Sequence, residues 1–318
     1  MNIAILTHPL GANYGGILQA YALSRYLEKL GHIVIVLNRQ PNHNILFRLI
    51  KGLLVLIGHP RYNNPRFSCL RNFVKNYMNY SKPLSTTRSL NRFLRINRID
   101  AVIVGSDQVW RQDFAMNYNY NYFLDFVPDE MKKVAYAASF GLNIWNYTQE
   151  QTNEIKLLLE RFSAISVRED DGVILCRKYL CSESTHVLDP TLLLNVEEYE
   201  KIMSPRLIDE KYVFVYWLGN EDDKIKALEK YTNKKIVDIS LRGNNSLISI
   251  GDWLSYIKYA DDIVTDSFHG CVFSLLFQKQ FHLNANDSGG NGRLSSLFRM
   301  LDIVPLESEL NYRQIGKK

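Results

Sequence analysis

Cysteine is scarce in this sequence, and the cysteines that are present have no metal-binding spacing. The chain has 318 residues and four cysteines, Cys69, Cys176, Cys181 and Cys271, without a C-x-x-C pair. This argues against a structural zinc site and against a disulfide framework. It favours a reducing compartment, so we expect a cytoplasmic protein without a bound metal.

The sequence also lacks a targeting segment and a membrane-spanning run. Residues 1–6 enter an apolar stretch with no basic region before it, and no signal peptide is predicted. The apolar residues 45–57 are too few to cross a bilayer, which needs roughly 20. Hydrophobic residues at 46% and charged residues at 22% are typical of a globular protein, and the length allows two domains.

Acidic residues are absent from one long stretch. No Asp or Glu lies between Glu28 and Asp100, so every charged residue in that stretch is Lys or Arg. The whole chain nevertheless carries a net charge of only +5. The basic residues are Lys29, Arg39, Arg48, Lys51, Arg61, Arg66, Arg71, Lys75, Lys82, Arg88, Arg92, Arg95 and Arg98. We call residues 29–98 the basic segment. Such asymmetry points to an anionic partner, either a membrane surface or a nucleic acid.

A glycine-rich loop follows the first predicted strand, residues 3–6. Its glycines, Gly11, Gly15 and Gly16, do not have G-x-G-x-x-G spacing, and the second strand does not end in an acidic residue. A dinucleotide site is therefore excluded, and the lack of Gly-Lys-Ser/Thr excludes a Walker phosphate loop. Two interpretations remain: a helix N-terminus that presents N–H groups to an anion or polar ligand, or a turn that needs glycine only for backbone freedom.

Strand and helix patterns alternate along the chain, which predicts parallel sheets covered by helices. Short apolar strands are predicted at 3–6, 33–37, 101–104, 134–138, 164–167, 212–218, 235–240, 262–265 and 280–283. The rhythm weakens near residues 190–210, so we predict two Rossmann-like domains, 1–190 and 191–318, facing across a cleft. An inserted segment at about 41–98 interrupts the first. Its apolar residues 45–57 suit a core helix or an interfacial helix on an anionic membrane.

Polar residues at the carboxyl ends of predicted strands are the candidate ligand-binding groups, because ligands bind at that edge of parallel sheets. The sharpest is His269, which stands between a strand and a helix N-terminus where backbone N–H groups favour an anion. Arg168 has the same place in the first domain, and it suits either a bidentate anion or a salt bridge to Glu169 or Asp189. Arg293, at another helix start, suits a surface or interface position.

Six motifs, in order along residues 1 to about 303, resemble those of the polysaccharide pyruvyl transferases. They are NYGGILQAYAL at 13–23, VGSDQVW at 104–110, YAASFG at 136–141, SVRE at 166–169, DPT at 189–191 and TDSFHG at 265–270. The resemblance implies a glycosyltransferase-B-like fold. It also implies transfer of an enolpyruvyl unit from phosphoenolpyruvate to two hydroxyls of a sugar in a surface-polysaccharide precursor, which gives a pyruvate ketal. Phosphoenolpyruvate is then a co-substrate, and no cofactor is expected.

The resemblance also implies roles for individual residues. His269 is placed at the reacting centre, and the donor anion is placed near Arg168, Ser267, Phe268, Gly270 and Arg293. Some relatives have arginine where this chain has Ser267, and Arg293 is our substitute for that second anion-binding residue. The residues expected to bind the acceptor or line the cleft are Asn13, Tyr14, Gly15, Ser106, Asp107, Gln108, Ser139 and Asp189.

The chemistry of these residue types is consistent with that activity, and two other activities stay open. A histidine with a pKa near neutrality serves as general acid and base, and arginine with helix-end N–H groups holds phosphate charge. Asp107 or Asp189 would orient the acceptor or the histidine, or be structural. The alternatives are a glycosyltransferase that uses a nucleotide sugar on the same scaffold, and a saccharide-binding protein without turnover.

The basic segment predicts a peripheral location at the inner face of the plasma membrane, where the acceptor would be a sugar on a lipid diphosphate. We expect no nucleic-acid partner, because the segment has no recognised nucleic-acid motif and pairs its charges with aliphatic residues more than with stacking aromatic residues.

We predict that the protein co-sediments with anionic vesicles at low salt and is released at high salt, because each basic residue near the surface contributes about 1 kcal/mol. The measurement is the bound fraction on vesicles of increasing anionic-lipid content, with neutral vesicles as the control. Protein that stays in the supernatant with strongly anionic vesicles at low salt would contradict the membrane hypothesis.

Overall fold

A computed structural model describes residues 1–11, 13–41, 67–231, 233–240, 248–283, 291–303 and 311–312, and the statements below concern these residues. The chain forms two compact units, Met1–Pro190 and Thr191–Lys318, which we call the N-terminal and C-terminal units. The predicted apolar segment 45–57 and the basic residues Arg48, Lys51, Arg61 and Arg66 lie outside the described residues.

The N-terminal unit is built on a parallel sheet. Its strands are β1 (Asn2–Leu6), β2 (Ile33–Val36), β3 (Ala101–Asp107), β4 (Asn117–Tyr120), β5 (Lys132–Ala138), β6 (Ala164–Val167) and β7 (Thr185–His186). Six of these pair in the order β2-β1-β3-β5-β6-β7, with every pair parallel. The central strands β1 and β3 are almost entirely buried, which explains their continuous apolar sequences.

Helices connect these strands, and their ends follow local capping rules. They are α1 (Tyr14–Lys29), α2 (Ser68–Tyr77), α3 (Thr87–Ile96), α4 (Gln112–Ala115), α5 (Gln149–Leu159) and α6 (Asp170–Leu180). Thr148 and Gln151 form the predicted capping box of α5. Helix α1 starts two residues earlier than its predicted start at Gly16, because the Asn13 side chain accepts a hydrogen bond from the Gly16 N–H and caps the helix.

The C-terminal unit repeats this plan with a second sheet. Its strands are β8 (Tyr212–Tyr216), β9 (Lys235–Asp238), β10 (Asp262–Thr265), β11 (Phe281–Leu283) and β12 (Asn311–Tyr312), in the order β12-β11-β10-β8-β9. All pairs are parallel except the antiparallel pair of β11 and β12. Its helices are α7 (Val196–Glu200), α8 (Glu221–Leu228), α9 (Ile250–Tyr259), α10 (Phe268–Leu276) and α11 (Asn291–Met300).

The inserted segment contains structure that the sequence pattern did not reveal. Helices α2 and α3 lie where the strand–helix rhythm appeared interrupted. Helix α3 has two buried residues, Leu90 and Leu94, and most of its other residues are polar or charged. A capping box of Thr86 and Ser89 starts it. The described helices include none long and apolar enough to span a membrane.

The described part of the basic segment carries most of its charge at the surface, with one exception. Exposed residues are Lys29, Arg71, Lys75, Lys82, Arg88, Arg92, Arg95 and Arg98. Arg39, by contrast, is 2% exposed, and its Nε donates to Asn121 Oδ1 at 2.7 Å. Burial lowers the pKa of Arg39, and its guanidinium lies 5.1 Å from the centre of the Tyr118 ring. The prediction that Arg39 contributes to a basic surface is therefore wrong.

Gly105 allows two neighbouring strands to approach each other just before the functional residues of β3. Its φ is +130°, and a Cβ there would lie 2.1 Å from the carbonyl oxygen of Tyr136 on β5. Side chains rarely adopt such a backbone conformation, and the contact is with main chain that cannot rotate away. Glycine is thus required at this position.

We predict that Gly105→Ala lowers the free energy of unfolding by at least about 1–3 kcal/mol, the cost of a strained backbone conformation alone. Urea unfolding of the full chain measures the loss. Gly11→Ala is the matched control, since no heavy atom lies within 4 Å of its added Cβ. Equal stability of the two variants would contradict the steric argument.

Candidate functional site

A pocket of about 380 Å³ lies at the carboxyl ends of β1 and β3 in the N-terminal unit. Its volume is within the range of about 300–1,000 Å³ typical of small-molecule sites. The pocket is lined by His8, Pro9, Leu10, Gly11, Asn13, Gly16, Asp107, Gln108, Phe114, Asn117 and Tyr118. One carboxylate, one imidazole, three amides and two aromatic rings thus surround the space, a mixture suited to a polar organic ligand.

Asp107 is held in an unusual conformation at the pocket wall. Its φ is 76°, which costs a non-glycine residue roughly 1–3 kcal/mol. Its carbonyl accepts hydrogen bonds from Val109 N at 2.8 Å and Ser139 N at 3.0 Å, and its Oδ1 accepts from Gln108 N at 2.9 Å. The Oδ2 lies 3.4 Å from where a Cβ on Gly16 would be. These contacts fix the carboxylate beside the first turn of α1, where the helix dipole favours negative charge.

Arg168 lies in a buried ion pair next to Asp107. Its Nη1 donates to Asp189 Oδ2 at 2.8 Å, and Ser106 Oγ donates to the same oxygen at 3.0 Å. Its Nη2 is 3.9 Å from Asp107 Oδ1. Burial alone would lower the pKa of Arg168, but attraction to Asp189 and Asp107 outweighs it and raises the pKa. Of the two interpretations of Arg168, the structure shows the salt bridge to Asp189.

The same network extends into the first motif. The Ser106 N–H donates to Gln19 Oε1 at 3.2 Å, and Gln19 Nε2 donates to Thr7 Oγ1 at 3.0 Å and to the Gly16 carbonyl at 2.8 Å. Thr7 Oγ1 donates in turn to the Ser106 carbonyl at 3.1 Å. These contacts fasten β1, α1 and β3 to one another beside the pocket. The sequence did not single out Thr7 or Gln19, because both look like ordinary strand-end and helix residues.

The sequence pattern also did not indicate two pocket residues that make aromatic contacts, His8 and Phe114. His8 Nδ1 lies 3.3 Å from Tyr122 Oη, and the imidazole makes an edge contact with the Phe114 ring at 5.6 Å between centroids. Phe114 is 40% exposed, which is unusual for phenylalanine. Phe114 lies four residues beyond the VGSDQVW motif, and His8 stands before the glycine-rich loop. Neither position carries a sequence signal, since only the fold brings the two loops together.

In the C-terminal unit, His269 lies in the first turn of α10 and is 7% exposed. Ser267 is the N-cap: its Oγ accepts from the Gly270 N–H at 3.3 Å, and its own N–H donates to Thr265 Oγ1 at 3.1 Å. Gly270 is needed for close packing, because a Cβ there would lie 2.4 Å from Thr265 Oγ1. Ser267 and Gly270 thus shape the turn that presents His269.

Arg293 lies near this turn, although it comes from another helix. Its Cζ is 5.9 Å from the centre of the Phe268 ring, and Phe268 makes an edge contact with His269 at 5.2 Å. Arg293 is the third residue of α11, and His269 is the second of α10. An imidazole and a guanidinium at two helix N-termini thus flank one phenylalanine. Helix N-termini favour anions, so this arrangement suits a phosphate or carboxylate.

The candidate residues predicted from sequence fall into four groups. Asn13, Asp107 and Gln108 line the pocket, whereas Ser106, Arg168 and Asp189 form the buried network. His269, Ser267, Phe268, Gly270 and Arg293 cluster in the C-terminal unit. Three others have local roles: Tyr14 and Gly15 are buried in α1, and Ser139 Oγ accepts from Gly141 N at 3.1 Å in the turn after β5. Their assignments to donor and acceptor stay predictions.

Metal ligands are not clustered in the described residues, where no group of three His, Cys, Asp or Glu side chains could hold a metal ion.

Several solved structures have an architecture similar to that of this chain. A UDP-GlcNAc 2-epimerase from Methanocaldococcus jannaschii is 13% identical with a TM-score of 0.53, over 99% of this chain and 95% of that one. A putative UDP-N-acetylglucosamine 2-epimerase from Listeria monocytogenes is 8% identical with a TM-score of 0.53, over 95% of this chain and 88% of that one. An alpha-glucosyltransferase in complex with UDP is 10% identical with a TM-score of 0.51, over 95% of this chain and 90% of that one. At these identities the likeness shows the fold alone, and it confirms the glycosyltransferase-B-like class with two Rossmann-like domains.

The match of this sequence to a family model shows which family the chain belongs to. The model of the family described as polysaccharide pyruvyl transferase matches residues 13–288, which is most of the chain. This protein therefore belongs to the polysaccharide pyruvyl transferase family, and its general activity is polysaccharide pyruvyl transfer. Among curated proteins, none matches this chain.

We predict that Arg168→Met lowers the free energy of unfolding by about 3–5 kcal/mol, because it leaves the buried Asp189 carboxylate without its cation. Urea unfolding of the full chain is the measurement. Arg177→Met is the matched control: its ion pair with Glu183 is highly exposed and should contribute about 0–1 kcal/mol. If both variants lost the same small amount, the network would not depend on the Arg168 charge.

Proposed function

We propose that the protein transfers the enolpyruvyl unit of phosphoenolpyruvate to two hydroxyls of one sugar in a surface-polysaccharide precursor, forming a pyruvate ketal. The observation that carries this proposal is the convergence of His269 and Arg293 on Phe268 at two helix N-termini, in a chain of the pyruvyl transferase family.

The donor's charges match the C-terminal cluster. Phosphoenolpyruvate carries a phosphate and a carboxylate, and both need compensation when they leave water. The N-termini of α10 and α11 offer backbone N–H groups and positive dipole ends. The Arg293 guanidinium can bind either anion with two parallel hydrogen bonds. This combination supports the C-terminal unit as the donor site.

His269 is the group in this cluster that can move a proton. In the proposed reaction it protonates the methylene carbon of the donor, which becomes the methyl group and leaves positive charge on the neighbouring carbon. One sugar hydroxyl attacks that carbon and returns its proton to the imidazole. A second hydroxyl of the same sugar then closes the ring as the bond to phosphate breaks, and its proton leaves with the phosphate. General acid–base catalysis of this kind contributes about 10²–10⁴-fold.

Arg168 has contacts that support a positioning role. The family resemblance places it on the donor anion, yet its guanidinium is paired with Asp189 and lies near Asp107. Two carboxylates surround one cation, so the cluster would not by itself attract an anion. We propose that Arg168 and Asp189 act by holding Asp107 and Ser106, while Arg293 and the helix ends bind the donor.

We also propose a peripheral membrane location with an acceptor sugar on a lipid diphosphate. The exposed basic residues of α2 and α3, Arg71, Lys75, Arg88 and Arg92, support attraction to an anionic surface.

We predict that His269→Ala lowers turnover by about 10²–10⁴-fold with a small effect on stability, since the side chain supplies the proton and not the core. The measurement is phosphate release from phosphoenolpyruvate with a panel of galactose- and mannose-type acceptors. His32→Ala is the control. His32 directly precedes β2 and so lies at the amino end of that strand, whereas the candidate ligand-binding residues lie at the carboxyl ends of strands.

Three outcomes would contradict the proposal. Near-native phosphate release by His269→Ala would remove the histidine from the reaction. Release of a nucleotide from a nucleotide sugar, with phosphoenolpyruvate inert, would instead indicate a glycosyltransferase. Saccharide binding with neither donor consumed would indicate a binding protein without turnover.

A further inference from the structure

An aromatic ring lies exposed at the wall of the pocket in the N-terminal unit, beside its polar groups. Phe114 belongs to the short helix α4, lines the pocket and is 40% exposed. Exposing a phenylalanine ring costs hydrophobic free energy, roughly 25 cal/mol for each Å² left in water. A ring kept at the surface of a binding pocket is therefore a candidate for ligand contact.

The ring is held in place by its neighbours. The Arg111 guanidinium lies 5.1 Å from the ring centre, and His8 makes an edge contact with the ring. Arg111 is fixed in turn, because its Nη1 donates to Gln108 Oε1 at 3.1 Å and its Nε lies 3.4 Å from Asp113 Oδ2. Phe114 is thus supported from the protein side, which reduces the entropy lost when a ligand packs on it.

The polar groups around the ring match hydroxyls, which both donate and accept hydrogen bonds. Gln108 Oε1 is occupied by Arg111 and Asn13 Oδ1 by the Gly16 N–H, so that each amide keeps its N–H donors for a ligand. Asn117 has the opposite arrangement: its Nδ2 donates to the Asp113 carbonyl, and its Oδ1 can accept. Asp107 adds a carboxylate acceptor. The pocket lining therefore contains both hydrogen-bond donors and acceptors beside the Phe114 ring.

We infer that this pocket binds one pyranose ring of the acceptor, with the C–H face of the sugar against Phe114 and its hydroxyls on Asp107 and the three amides. Phe114 is then a specificity-determining residue. The inference rests on the proposed function for the identity of the acceptor as a sugar. The pocket suits a neutral polyol better than the donor, because the described residues that line it include a carboxylate and no lysine or arginine.

The ring stacking selects for sugar stereochemistry. A galactopyranoside has an axial O4, so its hydrogens on C3, C4 and C5 lie on one face and form a continuous apolar surface. A glucopyranoside divides its axial hydrogens between two faces. Contact with Phe114 should therefore be visible on a defined set of ring hydrogens and not on the whole sugar.

The test is saturation-transfer difference NMR of the full chain, without phosphoenolpyruvate, at millimolar methyl β-D-galactopyranoside, methyl β-D-glucopyranoside and methyl α-D-mannopyranoside. We expect transfer to the hydrogens of one ring face for at least one of them. Phe114→Ala should weaken binding by about fivefold to tenfold, and Phe114→Trp should keep it, since indole also offers a π face. Tyr77→Ala is the control: Tyr77 is 47% exposed on α2 and stacks on Phe73 outside the pocket.

Three results would overturn the inference. They are the absence of transfer from all three glycosides, unchanged binding by Phe114→Ala, and equal weakening by Tyr77→Ala. The outcomes are independent of the donor chemistry. If glycosides bind through Phe114 while phosphoenolpyruvate is not consumed, the proposed function fails and the sugar site stands. If phosphate is released but the Michaelis constants for sugar acceptors are unchanged in Phe114→Ala, only the sugar-site inference fails.

Discussion

The N-terminal site depends on the buried ion pair between Arg168 and Asp189. A carboxylate with no exposed surface is stable only with a cation and hydrogen bonds around it, and Asp189 receives both from Arg168 and Ser106. Because Ser106 is also bonded to Gln19 and Thr7, the pair connects β6, β3, α1 and β1. The strained backbone of Asp107 is held within this framework. A pocket lined by loops from different strands thereby keeps one geometry.

The two units present different polar groups near the carboxyl ends of their strands. In the N-terminal unit, the pocket contains a carboxylate, amides and aromatic rings, which suit a neutral hydroxylated ligand. In the C-terminal unit, His269 and Arg293 stand at helix N-termini, which suit an anion. The proposed reaction needs both kinds of site, because its proposed donor, phosphoenolpyruvate, is an anion and its acceptor is a sugar. Each unit alone thus supplies one half of the recognition that the proposed reaction requires.

Glycine and cap residues give the site its shape at small cost. Gly105 allows β3 to approach β5, and Gly270 allows α10 to pack on Thr265. Ser267 is the N-cap of α10 and so contributes geometry, not charge. Among the described residues, Arg293 brings positive charge near this turn, and it belongs to α11, which follows α10 in the chain.

The sequence by itself determined the strand–helix alternation, the fold class and the family, because buried parallel strands are continuous apolar runs and the motifs lie at their carboxyl ends. It also located Asn13, Asp107, Gln108 and His269 as site candidates. Only the tertiary structure decided that Arg168 pairs with Asp189, that Arg39 is buried, and that Phe114 and His8 share a pocket wall. Each of these depends on contacts between residues far apart in the chain, which local periodicity and spacing do not encode. Helix α3 was missed for a related reason: two buried leucines suffice for it only because the rest of the unit supplies the surface they pack on.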